Sequence, residues 1–316
     1  MLFRSCTPPF AHLEPTIGAL EAGLHVLCEK PMALDSIQAQ TMVDAWHKVR
    51  EAKANLFSVG FQSRYGKNAQ QLKRFIDAGE LGEVYYVRAA YLRRRGVPAW
   101  GVFTSKELNG GGPMIDVGVH VLDLSMWLMG HPKIQSVYGA SFRKFGNRPN
   151  VFNPWGSWDP AKYDVEDSAF AMIRFENGAS GILMATQVAA GEENNLNIRV
   201  YGEKGGLSWR QEEPNTLEVK WLDKPKEVIR TGWGYLGDEA KRSTRTPSGH
   251  PEGYLEAFAN LYRNFARAVS EYKPGKKVDS AKYDFPDVSD GVRGMAFVES
   301  VVKSSKSSSK WTKIKI

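Results

Sequence analysis

The chain has 316 residues, of which 42% are hydrophobic and 24% charged, a composition typical of globular proteins and long enough for two domains. Five lysines and no acidic residue lie in residues 301–316, so the formal net charge of +7 leaves only +2 for the rest. We therefore interpret this terminus as a solvated tail and exclude nucleic acid as a partner. No apolar run is long enough to span a membrane. Cys6 and Cys28 form no CxxC motif and suit a reducing cytoplasm, although a disulfide between them stays open.

The first 82 residues alternate between strand-like and helix-like segments. Apolar runs predict strands at 1–6, 24–28 and 55–61, and amphipathic runs predict helices at 12–22, 35–52 and 67–78. This alternation indicates a parallel sheet with crossover helices, and the loops at the carboxyl ends of such strands form a ligand crevice. Thr7-Pro8-Pro9, Glu29-Lys30-Pro31 and Gln62-Ser63-Arg64 all fall at that edge.

From residue 83 the pattern changes to a succession of strands. They are predicted at 83–93, 134–145, 168–175, 181–188, 196–201, 206–210 and 217–222, with later helices at 250–269 and 290–302. The dipeptide Asn177-Gly178 is a strong hairpin signal. These features predict a large, mainly antiparallel open sheet with helices on one face.

Between the first and second of these strands, Gly110-Gly111-Gly112-Pro113 leads into an apolar run that predicts a helix with Pro113 in its first turn. Asp116 and His120 are four residues apart and share one face of that helix. A carboxylate beside an imidazole suits general acid–base chemistry, whereas the alternative is a polar patch on an amphipathic helix. We expect Asp123 to be a structural cap or packing partner.

Three segments carry a resemblance to a known family. They are Cys-Thr-Pro-Pro-Phe-Ala-His at 6–12, Ala-Leu-Glu-Ala-Gly-Leu-His-Val-Leu-Cys-Glu-Lys-Pro at 19–31 and Gly-Gly-Gly-Pro-Met-Ile-Asp-Val-Gly-Val-His-Val-Leu-Asp at 110–123. Together they resemble the glucose–fructose oxidoreductase/inositol dehydrogenase/MocA (Gfo/Idh/MocA) family of NAD(P)-dependent sugar and polyol oxidoreductases. Glu-Lys-Pro after a strand combined with Asp-x-Gly-x-His is far more specific than either motif alone. The resemblance covers essentially the whole chain.

The resemblance implies an α/β fold with two domains. Residues 1–82 would be the C-terminal part of a dinucleotide-binding (Rossmann) domain, and residues 83–316 an α+β domain for substrate binding and oligomerisation. The chain lacks the strand, GxGxxG turn and helix with which family members open, roughly 60–80 residues by comparison. We therefore expect an unpaired edge strand around Leu2 to Ser5, and a start codon assigned too late or a truncated gene.

Two hypotheses about function follow. The first is an enzyme that transfers a hydride between a sugar or polyol ring hydroxyl and the nicotinamide of NAD or NADP. The second is a truncated, non-catalytic family member that acts only as a sugar-binding or oligomerising domain. We also expect a homo-oligomer, dimer or tetramer, formed through the outer face of the large sheet, and a cytoplasmic location.

The resemblance also assigns site residues. Lys30, Asp116 and His120 would form the catalytic group and contact the substrate, with Asp116 orienting either the substrate or the imidazole. Whether Lys30 or His120 is the formal base stays open. The residues expected to bind the cofactor are Thr7, Pro8, His12, Glu29, Lys30 and Pro31, with Pro31 in a cis peptide.

The aromatic segment 95–104 supplies further substrate candidates. Trp100 would give a stacking face for a sugar ring, while Arg95 and Thr104 would bind its hydroxyls, and the alternative for all three is loop packing. Trp155 and Trp158 suit either a lid or a packed loop, of which we favour the packed loop. No pair of histidines has metal-ligand spacing, so we expect no metal site.

Overall fold

A computed structural model of the chain describes residues 1–93, 96–98, 101–146, 159–273, 283–308 and 310–315. The strands are β1 Leu2–Ser5, β2 His25–Cys28, β3 Phe57–Val59, β4 Val84–Arg93, β5 Ile134–Phe142, β6 Ser168–Phe175, β7 Ser180–Thr186, β8 Asn194–Gly202, β9 Gly205–Arg210, β10 Thr216–Trp221, β11 Glu227–Arg230 and β12 Trp311–Lys313. The α-helices are α1 Leu13–Glu21, α2 Ser36–Lys53, α3 Lys67–Asp77, α4 Lys106–Asn109, α5 Val119–Leu128, α6 Asp238–Arg242, α7 Tyr254–Glu271 and α8 Val288–Lys306. A π-helix, Met114–Gly118, leads directly into α5.

The smaller sheet is parallel, with the strand order β1-β2-β3. Within the described residues β1 pairs only with β2, so it is the edge strand that the sequence predicts. Hydrogen bonds from Glu29 N to Ser5 O (3.0 Å) and from Gly60 N to Cys28 O (2.8 Å) extend the pairing past the strand ends. The loops that follow the three strands are therefore held side by side. Cys6 and Cys28 are both free thiols.

The larger sheet has nine strands in the order β11-β10-β9-β8-β4-β7-β6-β5-β12. All neighbouring pairs are antiparallel except β4 and β7, which run parallel, so the predicted α/β fold with a mainly antiparallel second sheet is confirmed. The Asn177-Gly178 turn joins β6 to β7, with Gly178 at a φ of 86°. Every residue of α5 is buried. Across the described residues, no helix combines the length and apolarity that crossing a bilayer requires.

The lysine-rich terminus differs from the predicted solvated tail. Helix α8 continues to Lys306, and β12 pairs antiparallel with β5 at the sheet edge. The ring centroid of Trp311 lies 5.9 Å from that of Tyr138, and the Arg174 guanidinium lies 3.8 Å from the Trp311 ring. The sequence does not predict this short strand, because charged lysines interrupt its apolar residues. The strand is stabilised by the packing around Trp311. The two-domain division at residues 82 and 83 stays a prediction.

A buried ion cluster joins the two sheets. Arg64, in the loop after β3, is only 2% exposed and donates from Nε to Asp123 Oδ2 of α5 at 2.8 Å. Its Nη2 also lies 2.7 Å from Asp290 Oδ2 of α8. Although burial opposes it, the charges of Arg64 and Arg293 lower the pKa of Asp290. Asp123 is therefore a structural partner, as its position on the helix predicts.

We expect Arg64→Met to lower the free energy of unfolding by about 3–5 kcal/mol, because two buried carboxylates lose their shared cation. Arg210, whose ion pair with Glu213 is exposed, provides the matched control, and Arg210→Met should change stability by less than about 1 kcal/mol. Urea unfolding of both variants measures the difference. Equal effects of the two substitutions would contradict this role for the cluster.

Candidate active site

The site forms where the loop after β2 meets the π-helix. Lys30 Nζ donates to the carbonyl oxygen of Asp116 at 2.6 Å and to Asp116 Oδ1 at 3.0 Å. The two residues are 86 positions apart in sequence and are both largely shielded from solvent. The Lys30-Pro31 peptide bond is cis, as the family resemblance implies. The structure thus brings together the two motifs that carry that resemblance.

The triple glycine makes this approach sterically feasible. Gly110 has a φ of 85°, and a Cβ there would lie 2.7 Å from the carbonyl oxygen of Leu34, which belongs to the segment after Lys30. At Gly112 a Cβ would lie 2.1 Å from the carbonyl oxygen of Glu166. Larger residues would push the π-helix away from both neighbours. The glycines therefore serve close backbone packing, which sets the distance between Lys30 and Asp116.

Asp116 lies among two cations and an amide. Its Oδ2 accepts from Gln187 Nε2 at 2.6 Å and lies 3.5 Å from Arg93 Nη1, while Oδ1 accepts from Lys30. Burial alone would raise the pKa of Asp116, but the charges of Lys30 and Arg93 outweigh it and lower that pKa. Asp116 is therefore an ionised carboxylate, and its hydrogen bond holds the Lys30 ammonium group in position.

Sequence reasoning missed Arg93 and Gln187. Each stands at the end of an apolar strand, and β4 pairs in parallel with β7 so that Leu92 opposes Thr186. The residues that follow Leu92 and Thr186, which are Arg93 and Gln187, therefore lie next to each other beside Asp116. Only this pairing register identifies them, because a polar residue at a strand end is common by itself.

His120 is buried between two aromatic rings. Its ring centroid lies 6.5 Å from that of Phe61 and 6.0 Å from that of Tyr91, and its Nδ1 has no hydrogen-bond partner among the described residues. Burial, reinforced by the charge of Lys30, lowers the pKa of His120 well below 6.5. The imidazole is therefore neutral at pH 7 and able to accept a proton.

Whether Asp116 orients the substrate or the imidazole stays a prediction, and the structure shows which groups its carboxylate contacts. Within the part of the chain that the structure describes, the Asp116 carboxylate bonds to Lys30 and Gln187 and not to His120. The coulombic effect of Asp116 on His120 remains, and it raises the pKa of the imidazole against the larger effect of burial.

The residues predicted to bind a cofactor divide into two groups. Thr7 and Pro8 are exposed after β1, and Glu29 follows β2, where its carboxylate accepts from Arg4 Nη2 at 2.8 Å. The ring of His12 is buried, with Nε2 2.7 Å from Thr7 O and Nδ1 3.0 Å from Pro31 O. It therefore lies between the loops that follow β1 and β2, and its contact with a cofactor stays a prediction.

Only one of the three substrate residues predicted in segment 95–104 lies within the described part of the chain. Arg95 and Trp100 lie outside the described residues, as do Trp155 and Trp158. Thr104 is half-buried, and its carbonyl oxygen accepts from Asp164 N at 3.1 Å, which favours a packing role for its backbone. Contact of these side chains with a substrate stays a prediction.

The catalytic cluster, which we define as Lys30, Arg93, Asp116, His120 and Gln187, contains polar atoms that have no hydrogen-bond partner and that a ligand could satisfy. Arg93 Nε, His120 Nδ1 and Gln187 Oε1 are buried and lack hydrogen-bond partners within the described residues. A hydroxyl group both donates and accepts, so it can complement such a mixture. No group of three or more His, Cys, Asp or Glu among the described residues is placed to hold a metal ion.

Two family models match the chain. One, described as an oxidoreductase family with an NAD-binding Rossmann fold, matches residues 5–61, and the other, described as the GFO/IDH/MocA C-terminal domain, matches residues 69–208. The predicted family membership is thereby confirmed in both parts of the chain.

Similar proteins agree with these matches. D-glucoside 3-dehydrogenase of Escherichia coli strain K12 is 45% identical over 206 residues, which cover 64% of this chain and 57% of that protein. The chain therefore spans little more than half the length of that relative. Levoglucosan dehydrogenase of Pseudarthrobacter phenanthrenivorans is 28% identical over 262 residues, 78% of this chain and 62% of that protein.

Among solved structures, an inositol dehydrogenase homolog from Azotobacter vinelandii complexed with NADH and myo-inositol superposes with a TM-score of 0.83 at 29% identity. The superposition covers 99% of this chain and 77% of that one. With two family models matched in succession and this fold shared over nearly the whole length, the chain belongs to the Gfo/Idh/MocA family of oxidoreductases.

Proposed function

We propose that this protein oxidises a ring hydroxyl of a sugar or polyol, with the hydride passing to the nicotinamide of NAD. The observation that carries the proposal is the contact of Lys30 with Asp116 beside the neutral His120, at the carboxyl edge of a parallel sheet. Relatives named for glucosides, levoglucosan and inositol support a sugar or polyol as the substrate. A structural neighbour complexed with NADH supports NAD over NADP as the cofactor.

The residues present fit the nicotinamide end of such a cofactor. Thr7 and Pro8 are exposed at the end of β1, and Glu29 and Lys30 stand at the end of β2, so they border one crevice. When bound, the nicotinamide supplies the hydride acceptor. The unsatisfied polar atoms beside Asp116 would hold the substrate hydroxyl at that end of the crevice.

The proton is handled by the chain's own residues. Asp116 fixes Lys30 as a hydrogen-bond donor, which would hold the substrate oxygen and stabilise negative charge developing on it. The imidazole of His120 would accept the hydroxyl proton, since it is neutral and its Nδ1 has no partner in the described residues. We therefore favour His120 as the base and Lys30 as the orienting cation.

We expect Lys30→Ala and His120→Ala each to lower turnover at least about 100-fold, because each removes a proton-handling or orienting group. The formation of NADH from NAD⁺ with methyl glucoside, levoglucosan or myo-inositol measures the rate. Lys133→Ala and His250→Ala, at exposed positions, are the matched controls and should keep wild-type turnover. Near-normal rates in both site variants would overturn the proposal.

We expect Arg93→Gln to raise the pKa of His120, because it removes a positive charge that opposes protonation of the imidazole. As the pH falls below 6.5, the variant should therefore acquire the imidazolium at a higher pH than wild type. Histidine ¹³C NMR measures the titration, and His120→Gln identifies the resonance. Arg88→Gln, exposed on the same strand, should leave this pKa unchanged, whereas equal titration in all three proteins would contradict the expectation.

We also propose a homo-oligomer formed through the outer face of the large sheet. That face exposes the apolar side chains of Phe142 and Met172, each at least 43% accessible, on the neighbouring strands β5 and β6. Light scattering should give a mass that is a multiple of 35.3 kDa, and Phe142→Asp should reduce it. A monomer at micromolar concentration would contradict this proposal.

A cytoplasmic location is consistent with two unpaired cysteines, one of which, Cys28, is a fully buried thiol. Fractionation of the source cells tests this location.

A further inference from the structure

Gln187 contacts the Asp116 carboxylate without adding charge to the catalytic cluster. It directly follows β7, is 1% exposed, and donates from Nε2 to Asp116 Oδ2 at 2.6 Å. Arg93 Nη1 lies 3.5 Å from the same oxygen, a distance at which a hydrogen bond is weak. The amide is therefore the stronger hydrogen-bond partner of Oδ2.

The backbone of Gln187 is held on both sides. Its N donates to the carbonyl oxygen of Asp167 at 3.2 Å, and its own carbonyl oxygen accepts from Gly96 N at 2.7 Å. Asp167, which precedes β6, is fully buried, and its Oδ2 accepts from Lys144 N and Phe145 N at 2.7 Å each. The side chain of Gln187 thus projects from a backbone that is fixed to the start of β6 and to the segment after β4.

The direction of the Gln187 amide is set by Asp116. An ionised carboxylate only accepts hydrogen bonds, so the amide turns its NH₂ group toward it. Gln187 Oε1 is then buried without a hydrogen-bond partner among the described residues. Because a buried acceptor without a donor is costly, this arrangement indicates that the position requires a donor at Asp116 Oδ2.

The two oxygens of Asp116 have separate partners. Oδ2 accepts from Gln187, whereas Oδ1 accepts from Lys30 Nζ at 3.0 Å. The amide therefore restricts the rotation of the carboxylate that holds Lys30. A lysine or arginine at position 187 would also donate, but it would add a third cation beside Lys30 and Arg93. A neutral donor leaves the cluster with one net positive charge.

We propose that Gln187 is a positioning residue, which holds the Asp116 carboxylate in the orientation that directs Lys30 toward the substrate oxygen. It acts through Asp116, and its own side chain is buried. The inference rests on the proposed function, because that function places the reacting oxygen at Lys30. It goes further by requiring a neutral hydrogen-bond donor at position 187.

Two substitutions separate the donor from the space that the side chain fills. Methionine has a similar volume but no donor, so Gln187→Met should lower turnover about tenfold or more at every pH between about 6 and about 9. Glutamate has nearly the shape of glutamine and donates only when it is protonated. Relative to wild type, Gln187→Glu should retain turnover within about threefold at about pH 6 and lose about tenfold or more by about pH 9.

This pH dependence follows from two carboxyl groups that face each other. Burial and the neighbouring charge of Asp116 both raise the pKa of the carboxyl group that Gln187→Glu introduces. Lys30, Arg93 and His120 are the other titratable groups that act on Asp116, and the two cations oppose this rise. At low pH the pair shares one proton, which replaces the amide N–H. As the pH rises that proton is lost, and repulsion turns the Asp116 carboxylate away from its position.

Gln40→Glu is the matched control. Gln40 Nε2 donates to Asp44 Oδ1 at 2.8 Å on the exposed face of α2, so the substitution makes the same change beside a carboxylate in water. Its turnover should equal that of wild type at every pH. NADH formation measures turnover, and thermal unfolding verifies that each variant is folded. Carbon-13 NMR of labelled glutamate should show that the carboxyl group introduced by Gln187→Glu titrates above the ordinary value of about 4.3.

The outcomes separate this inference from the proposed function. Absence of hydride transfer in wild type would overturn both. If wild type transfers hydride, wild-type turnover in Gln187→Met, or a loss in Gln187→Glu that does not increase with pH, would overturn this inference alone. A new carboxyl group that titrates below about 4.3 would also overturn it.

Discussion

Two buried carboxylates hold the helix of the site to the parallel sheet. Asp116 in the π-helix binds Lys30, which follows β2, and Asp123 in α5 binds Arg64, which belongs to the loop after β3. The residues are seven positions apart, so they lie on about the same side of the helix. Because two successive strand ends each supply a cation, the helix is fixed in both rotation and distance, and His120 between the two anchors is placed with it.

These two ion pairs are costly to form, because burial disfavours the charged state of every group in them. Burial would raise the pKa of Asp116 and lower that of His120, and the neighbouring cations reverse the effect for the carboxylate while they reinforce it for the imidazole. One arrangement of Lys30 and Arg93 therefore produces an anion and a neutral base side by side. The Arg64 cluster behaves differently, because burial raises the pKa of Asp123 to about 7 whereas the charges of Arg64 and Arg293 lower the pKa of Asp290.

The sequence specifies the parts of this site that local motifs encode. Lys30, Asp116 and His120 can be found because each stands in a short pattern with a strand or helix beside it. Arg93 and Gln187 cannot be found this way, because the parallel pairing of β4 with β7 alone brings them together. The resemblance places His12 in the cofactor site, and only the structure shows that its two ring nitrogens lie near backbone carbonyls of two separate loops. Strand β12 cannot be predicted from the sequence for a related reason. Tertiary packing around Trp311 stabilises the strand although the residues beside it are polar.

The net charge around Asp116 suits the loss of a proton from a neutral hydroxyl group. Lys30, Arg93 and Asp116 together leave one net positive charge where the substrate oxygen would lose its proton. Negative charge that develops on that oxygen would be stabilised by this excess, and more strongly in a buried site than in water. His120 can remain a neutral base beside these cations because the same positive charges disfavour its protonation. The two cations therefore act on the reacting oxygen and on the base at the same time.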